Sequence, residues 1–156
     1  MGIDKDIQQK VFKSVHQKAA INVMYTASFL SLQAQQLLKT FDLTLPQFNI
    51  LRILRGQYPK ATTVNDLIAR MIDKSSNASR IVEKLRAKNL VERKVCENDR
   101  RSVDVNITGS GLELLDRIDI QEHQFFLGLH SLTNEEAELL STLLDKGRIS
   151  GINHNQ

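Results

Sequence analysis

DKSSNASRIVEKLRAKNLVERKVCENDRRSVDVNITGSG, residues 73–111, reads as one helix followed by a two-stranded hairpin with a charged tip. Ala78, Ile81, Val82 and Leu85 recur at helical spacing and form one apolar face. Ser76, Ser79, Arg80 and Glu83 turn away from that face, with Asn77 and Lys84 on its flank. Short hydroxyls, an amide and an arginine can reach base edges and phosphates without steric bulk. Serine and asparagine are also poor choices for a helix interior unless their side chains are used. The helix gives way at Asn89, a residue that tolerates the left-handed cap conformation. Leu90 to Cys96 and Val103 to Thr108 then alternate with the period of a strand, the second most cleanly through Val103, Val105 and Ile107. Between them lies a polar turn, Glu97 to Ser102, that carries Asp99, Arg100 and Arg101. A helix followed by a basic-tipped hairpin is the outline of a winged helix-turn-helix.

The elements on either side fit that outline. Thr44-Leu45-Pro46-Gln47 is a helix start, with Thr44 as N-cap and Gln47 placed to close a capping box. That helix continues through Phe48, Ile50, Leu51, Ile53 and Leu54 and is expected to stop before Gly56. Thr62-Thr63 suggests a short strand, and Thr63 with Asp66 opens a short helix through Val64, Leu67, Ile68 and Met71. Ile72-Asp73-Lys74 is then the turn into a recognition helix over about 74–88, which completes the helix-turn-helix.

Upstream, Ile7, Val11, Val15, Ala19, Val23, Ala27, Leu30, Ala34, Leu37 and Phe41 step by three or four, predicting a long amphipathic helix with a bend or break near Tyr25-Thr26. Its broad apolar face exceeds what a small domain can cover, so part of it is expected to pack on another subunit. Downstream, Thr108-Gly109-Ser110-Gly111 marks a break, followed by a helix through Leu112, Leu115, Ile118, Phe125, Phe126 and Leu129. Thr133 to Glu136 is another capping box, and its helix is expected to end at Gly147 ahead of a frayed tail. The terminal helices are expected to pair with each other and then with a twofold mate.

Composition sets bounds. The 156 residues suggest one domain, and 41% apolar with 25% charged residues is ordinary for a globular chain. No apolar run approaches the ~20 residues of a membrane span. The N-terminal stretch lacks the apolar segment of a secretory signal, and one cysteine suits a reducing compartment, so the cytoplasm is the expected location. Net charge is only +3, but residues 60–109 carry 11 Lys/Arg against 7 Asp/Glu, whereas the remainder carries 10 against 11. The positive excess therefore falls on the segment proposed for DNA.

The run Asp99-Arg100-Arg101, Val103, Val105, Ile107-Thr108 and Gly111 resembles the wing signature of the MarR (multiple antibiotic resistance regulator) family. Ser76 to Val82 resembles that family's recognition helix, and Leu43 to Phe48 the start of its second helix. The resemblance extends from about residue 22 to the C-terminus and is densest over 43–111. Asn89 stands where the family usually has glycine. The resemblance implies a homodimeric DNA-binding regulator, a repressor relieved by a small aromatic or anionic effector, with the matching Asp99 holding Arg101 at the wing. It assigns no ligand-binding residue.

The resulting expectation is a mainly α protein with a small β-wing, spanning 1–156 as a single domain. The winged helix-turn-helix covers about 43–111, and dimerisation helices cover about 5–41 and 112–148. Its partner would be double-stranded DNA, in a pseudo-palindromic operator with half-sites about one helical turn apart. The residues expected at DNA are Lys74, Ser75, Ser76, Asn77, Ser79, Arg80, Lys84, Asp99, Arg100 and Arg101. An arginine at a wing tip can enter the minor groove. Against this, an exposed Asp–Arg pair can be only a surface salt bridge worth ~0–1 kcal/mol.

The rival is a winged-helix module that binds protein, which would show an apolar patch where Ser76, Ser79 and Arg80 stand. No nucleotide-binding glycine loop, nucleophile elbow or His–carboxylate set is visible, so no enzyme and no cofactor are expected. His16, His123, His130 and His154 lack metal-ligand spacing. Arg93 and Lys94 near Cys96 would lower its thiol pKa and allow a redox sensor. The peroxide-sensing branch of the resembled family, however, has its reactive cysteine in the N-terminal helix, where this chain has none, so Cys96 is read as a bland thiol.

Overall fold

The computed structural model describes residues 2–95, 103–121 and 129–152. Helix α1 (Ile3–Asp6) and helix α2 (Val15–Lys39) open the chain. Helix α3 (Leu45–Gln57), strand β1 (Thr62–Thr63), helix α4 (Val64–Arg70) and helix α5 (Ala78–Ala87) follow. Strands β2 (Val91–Val95) and β3 (Val103–Ile107) lead to helix α6 (Gly109–Asp119), a 3-10 turn (Leu129–Ser131) and helix α7 (Asn134–Ile152). The three strands form one antiparallel sheet in the order β1-β3-β2. Val91 lies opposite Ile107 and Arg93 opposite Val105. The architecture is a winged helix with long flanking helices.

Capping chemistry starts α3, α4 and α7 where the sequence says. At α3 the Thr44 hydroxyl accepts from the Gln47 N–H at 3.4 Å, and the Gln47 side-chain oxygen accepts from the Thr44 N–H at 3.0 Å. Both orphan donors are satisfied reciprocally. Thr63 caps α4 by accepting from the Asp66 N–H at 3.2 Å. Thr133 and Glu136 exchange the same pair of bonds at the start of α7. Thr44→Ala removes one bond of the α3 box and frees the other, so a loss of ~1 kcal/mol is expected. A urea titration checks this, and an unchanged midpoint would mean that packing alone sets the start of α3.

Helix α3 crosses the centre of the core. Its Ile50, Leu51 and Leu54 are essentially inaccessible, as are Leu67 of α4, Val82 and Leu85 of α5, Val105 of β3, and Leu115 and Ile118 of α6. Ala34, Leu37 and Leu38 bring only the C-terminal end of α2 into this cluster. Arg55 of α3 pairs with Asp119 of α6 through two nitrogens, at 2.5 and 3.3 Å.

Several boundaries differ from expectation. The first helix is not continuous from Ile7. Gln8 takes a left-handed φ of 54°, and the Ser14 hydroxyl caps a new start by accepting from the Gln17 N–H at 3.1 Å. No break occurs at Tyr25-Thr26, since α2 runs through both. Helix α3 includes Gly56. The recognition helix begins at Ala78 rather than near 74, because the side chains of 73–76 hold a turn there. Helix α6 ends at Asp119, where the Gln121 N–H closes a tight turn on the Ile118 carbonyl at 2.8 Å. The expected continuation through Phe125 and Phe126 lies outside the described residues. Helix α7 runs through Gly147 to Ile152, with an Arg148–Asp145 pair one turn apart across that glycine. A lone glycine costs a helix about 1 kcal/mol, too little to end it.

The flanking helices leave apolar surface uncovered. Val15, Val23, Met24, Phe29 and Leu32 of α2 are each about half exposed or more, and so are Leu139, Leu143 and Ile149 of α7. A cleft of about 500 Å³ separates the two helices, lined by Val23, Ala27, Leu30, Leu140, Leu143 and Leu144 among others. Among the described residues, no helix is long and apolar enough to cross a membrane.

Candidate nucleic-acid interface

Helix α5 divides cleanly into two faces. Ala78, Val82 and Leu85 are buried in the core, while Ser79, Arg80 and Lys84 are exposed on the other side. The C-terminus of α5 turns at Asn89, whose φ is 57°, and the Leu90 N–H returns to the Leu85 carbonyl at 3.0 Å. Asparagine thus supplies the left-handed conformation usually given to glycine. This closure leads the chain directly into β2.

The turn before α5 uses its polar side chains locally. Asp73 Oδ1 accepts from the Ser75 N–H at 2.9 Å and from the Ser75 hydroxyl at 2.6 Å, and Oδ2 accepts from the Ser76 hydroxyl at 3.0 Å. The Ser75 hydroxyl first, then the Ser75 N–H and the Ser76 hydroxyl, hold the Asp73 carboxyl below the usual carboxylate range. Asn77 is the N-cap, its side-chain oxygen accepting from the Arg80 N–H at 3.0 Å. Lys74 Nζ donates to the carbonyls of Ile68 and Ala69 at the end of α4, where a cation suits the helix dipole. The Ile72 N–H donates to Asn49 Oδ1 at 3.0 Å, tying the turn to α3.

The residues expected at DNA therefore fall into three sets. Ser79, Arg80 and Lys84 present side chains with no hydrogen-bond or ion-pair partner among the described residues. Lys74, Ser75, Ser76 and Asn77 build the turn that aims the helix. Asp99, Arg100 and Arg101 lie outside the described residues, as does Cys96. Among the described residues no three His, Cys, Asp or Glu side chains converge as metal ligands.

Two contacts escaped the reading of the sequence. Glu83, on the outward side of α5, is held by two arginines. Its Oε1 accepts from Arg93 Nη1 on β2, and its Oε2 accepts from Arg86 Nε at 3.1 Å. These two guanidiniums, Arg93 foremost, hold the Glu83 carboxyl below the usual range. Strand period was the available signal, since it puts Arg93 on the face of buried Val91, toward α5. The second contact joins Lys88 to the α2–α3 connection. Its ammonium donates to the Asp42 carbonyl and to Asp42 Oδ2, the latter at 2.8 Å, where Asp42 has a φ of 53°. No local pattern in the sequence connects Lys88 with Asp42.

This arrangement is an exposed polar helix face held rigidly against a three-stranded sheet. Comparison with known proteins shows what it is similar to. Residues 41–102 match the MarR family. The HTH-type transcriptional repressor IacR of Pseudomonas putida is 26% identical over 112 residues, which is 71% of this chain and 66% of that protein. The match thus spans slightly less than two thirds of the repressor's own length. Among solved structures, AbsC, a MarR family transcriptional regulator from Streptomyces coelicolor, superposes with a TM-score of 0.75 at 25% identity, covering 94% of this chain and 100% of AbsC. MepR of S. aureus, solved as a complex with DNA, superposes with a TM-score of 0.74 at 24% identity, covering 84% of this chain and 96% of MepR.

Proposed function

We propose that this chain, whose winged region, residues 41–102, matches the MarR family, is a homodimeric transcriptional repressor that binds a pseudo-palindromic DNA operator. The observation that carries this reading is the exposed face of α5. Ser79, Arg80 and Lys84 stand there without partners among the described residues, on a helix whose opposite face is locked into the core. Partnerless hydroxyl, guanidinium and ammonium groups are what base edges and phosphates require. MepR, of like fold, has been solved on DNA, and IacR is a repressor. In the dimer each α5 enters a major groove and each wing reaches the adjacent minor groove through Arg100 or Arg101, with Asp99 tethering Arg101. The exposed apolar sides of α2 and α7 supply the dimer contact. A small aromatic or anionic effector relieves repression, and the protein acts in the cytoplasm.

A winged-helix module for protein partners would instead present apolar side chains on α5. The polar groups there favour DNA.

Polarisation binding to an operator selected from random duplexes, and to its scrambled counterpart, tests the reading at several salt concentrations. Arg80→Ala is expected to cost ~1–3 kcal/mol, mainly on the operator, if the guanidinium reads a base. Arg101→Ala is expected to weaken both duplexes and to flatten the salt slope by about one unit per phosphate lost. An Arg101→Ala protein that binds both duplexes like the wild type would remove the wing from the mechanism.

A further inference from the structure

We infer that Glu83 is a specificity-determining and positioning residue of the DNA face, whose carboxylate withholds Arg86 and Arg93 from phosphates and fixes the wing strand β2 against α5. This rests on the DNA-binding reading above. The helix carries Arg80, Lys84 and Arg86, and β2 adds Arg93 beside them. Of these four cations only Arg80 and Lys84 are without a partner among the described residues. The other two converge on Glu83, one on each carboxylate oxygen. A carboxylate gripped at both oxygens cannot turn toward one guanidinium without releasing the other. It therefore sets the position of β2, the root of the wing, relative to the recognition helix.

The site is at the surface, where about 43% of the Glu83 side chain is exposed. A phosphodiester reaching this surface meets guanidiniums already committed to a carboxylate, and the two anions compete for the same donors. Such competition penalises binding that relies on charge alone. Operator binding gains from a correctly aimed helix and wing and tolerates the withheld cations. Glu83 in this way raises the difference between right and wrong DNA by weakening the wrong one.

Glu83→Gln is the direct test, because a neutral amide cannot hold both guanidiniums as a carboxylate does. Wild type and variant are titrated as dimers onto selected operator and scrambled duplex across salt concentrations. The scrambled duplex is expected to bind about three- to tenfold more tightly at low salt, with a salt slope steeper by about one to two units. The operator-to-scrambled ratio is expected to fall about tenfold. Glu83→Asp, which keeps the charge, is expected to restore most of the ratio. Adding Arg93→Gln to Glu83→Gln removes one released cation and is expected to bring the slope back toward wild type.

A merely structural role would not produce tighter scrambled binding. Equal weakening of both duplexes at an unchanged slope, or no change in either, overturns the inference. Thermal unfolding run alongside shows whether Glu83→Gln is folded, and if it is not, the same comparison on Glu83→Asp and Arg93→Gln decides. A folded wild type that binds neither duplex at any salt overturns the DNA-binding reading itself, before any variant is compared.

Discussion

Leu143→Glu is expected to break the proposed dimer and to lower operator affinity by more than about 100-fold. Leu143 lines the cleft between α2 and α7 and is 56% exposed in the single chain. Leu140 and Leu144 lie beside it, and Val23, Ala27 and Leu30 face them. Helix α7 has no buried residue among the side chains described, so its apolar face is left largely open in the single chain. A second copy is the source of support in the proposed dimer, and each leucine buried there contributes ~1.5–3 kcal/mol. A carboxylate at that position must be desolvated without a partner, which costs several kcal/mol more and occurs twice in a twofold interface.

DNA binding should fall with the dimer. Two half-sites engaged together gain about 10²–10⁴ over one, and a monomer forfeits that gain. Sedimentation velocity and operator polarisation on the same samples check the linkage. A folded Leu143→Glu monomer with full operator affinity would sink the dimeric mechanism. Glu138→Gln, on the same helix and without a place in the cleft lining, serves as the control and is expected to leave both readouts unchanged.

Gly111→Ala is the second large effect, a loss of ~3 kcal/mol or more of stability. Gly111 lies in the first turn of α6, where its N–H donates to the Thr108 hydroxyl at 3.1 Å. Its backbone is helical, so the need for glycine is steric. An added Cβ would sit 2.4 Å from the Leu90 carbonyl oxygen and 2.7 Å from Ile107 Cγ1. The Leu90 carbonyl cannot yield easily, because it also accepts from the Thr108 N–H at 3.1 Å and follows the left-handed Asn89. Relief of the clash must therefore move α6 away from the β2–β3 root and open the core at Leu115. Gly109, two residues earlier, has open space where its Cβ would be. Gly109→Ala is expected to be neutral or to stabilise by up to ~1 kcal/mol. Urea midpoints at one fixed protein concentration compare the two, since the proposed dimerisation would make apparent stability concentration-dependent. Equal midpoints for the two variants would refute the close-approach account.

What the sequence alone determined is local. The boxes at Thr44 and Thr133, the cap at Thr63 and the left-handed Asn89 each depend on groups within about four residues, which the chain order places together. The alternation of Val103, Val105 and Ile107 gave β3, and the helical spacing of Ala78, Val82 and Leu85 gave the buried side of α5, because each period belongs to one backbone conformation. The winged-helix outline followed from those pieces in order. Periodicity was weaker at the ends of the long helices. Ile7 and Val11 keep the apolar step, yet Val11 is 80% exposed and the helix starts only at the Ser14 cap.

Tertiary structure decided which side chains of the site are free. Ser75 and Ser76 seemed open to DNA in the sequence, but Asp73 holds both hydroxyls in the turn. Glu83 reads in the sequence only as an outward side chain of the helix, whereas Arg93, ten residues on in β2, donates to its carboxylate. Gly111 read as a break, whereas its role is to let α6 approach the Leu90 carbonyl. In each case the deciding partner is supplied by packing. A capping residue carries its partner at a fixed offset along the chain, while Glu83 and Gly111 meet theirs only after the core around Leu51, Val82 and Leu115 has brought α5, β2 and α6 together.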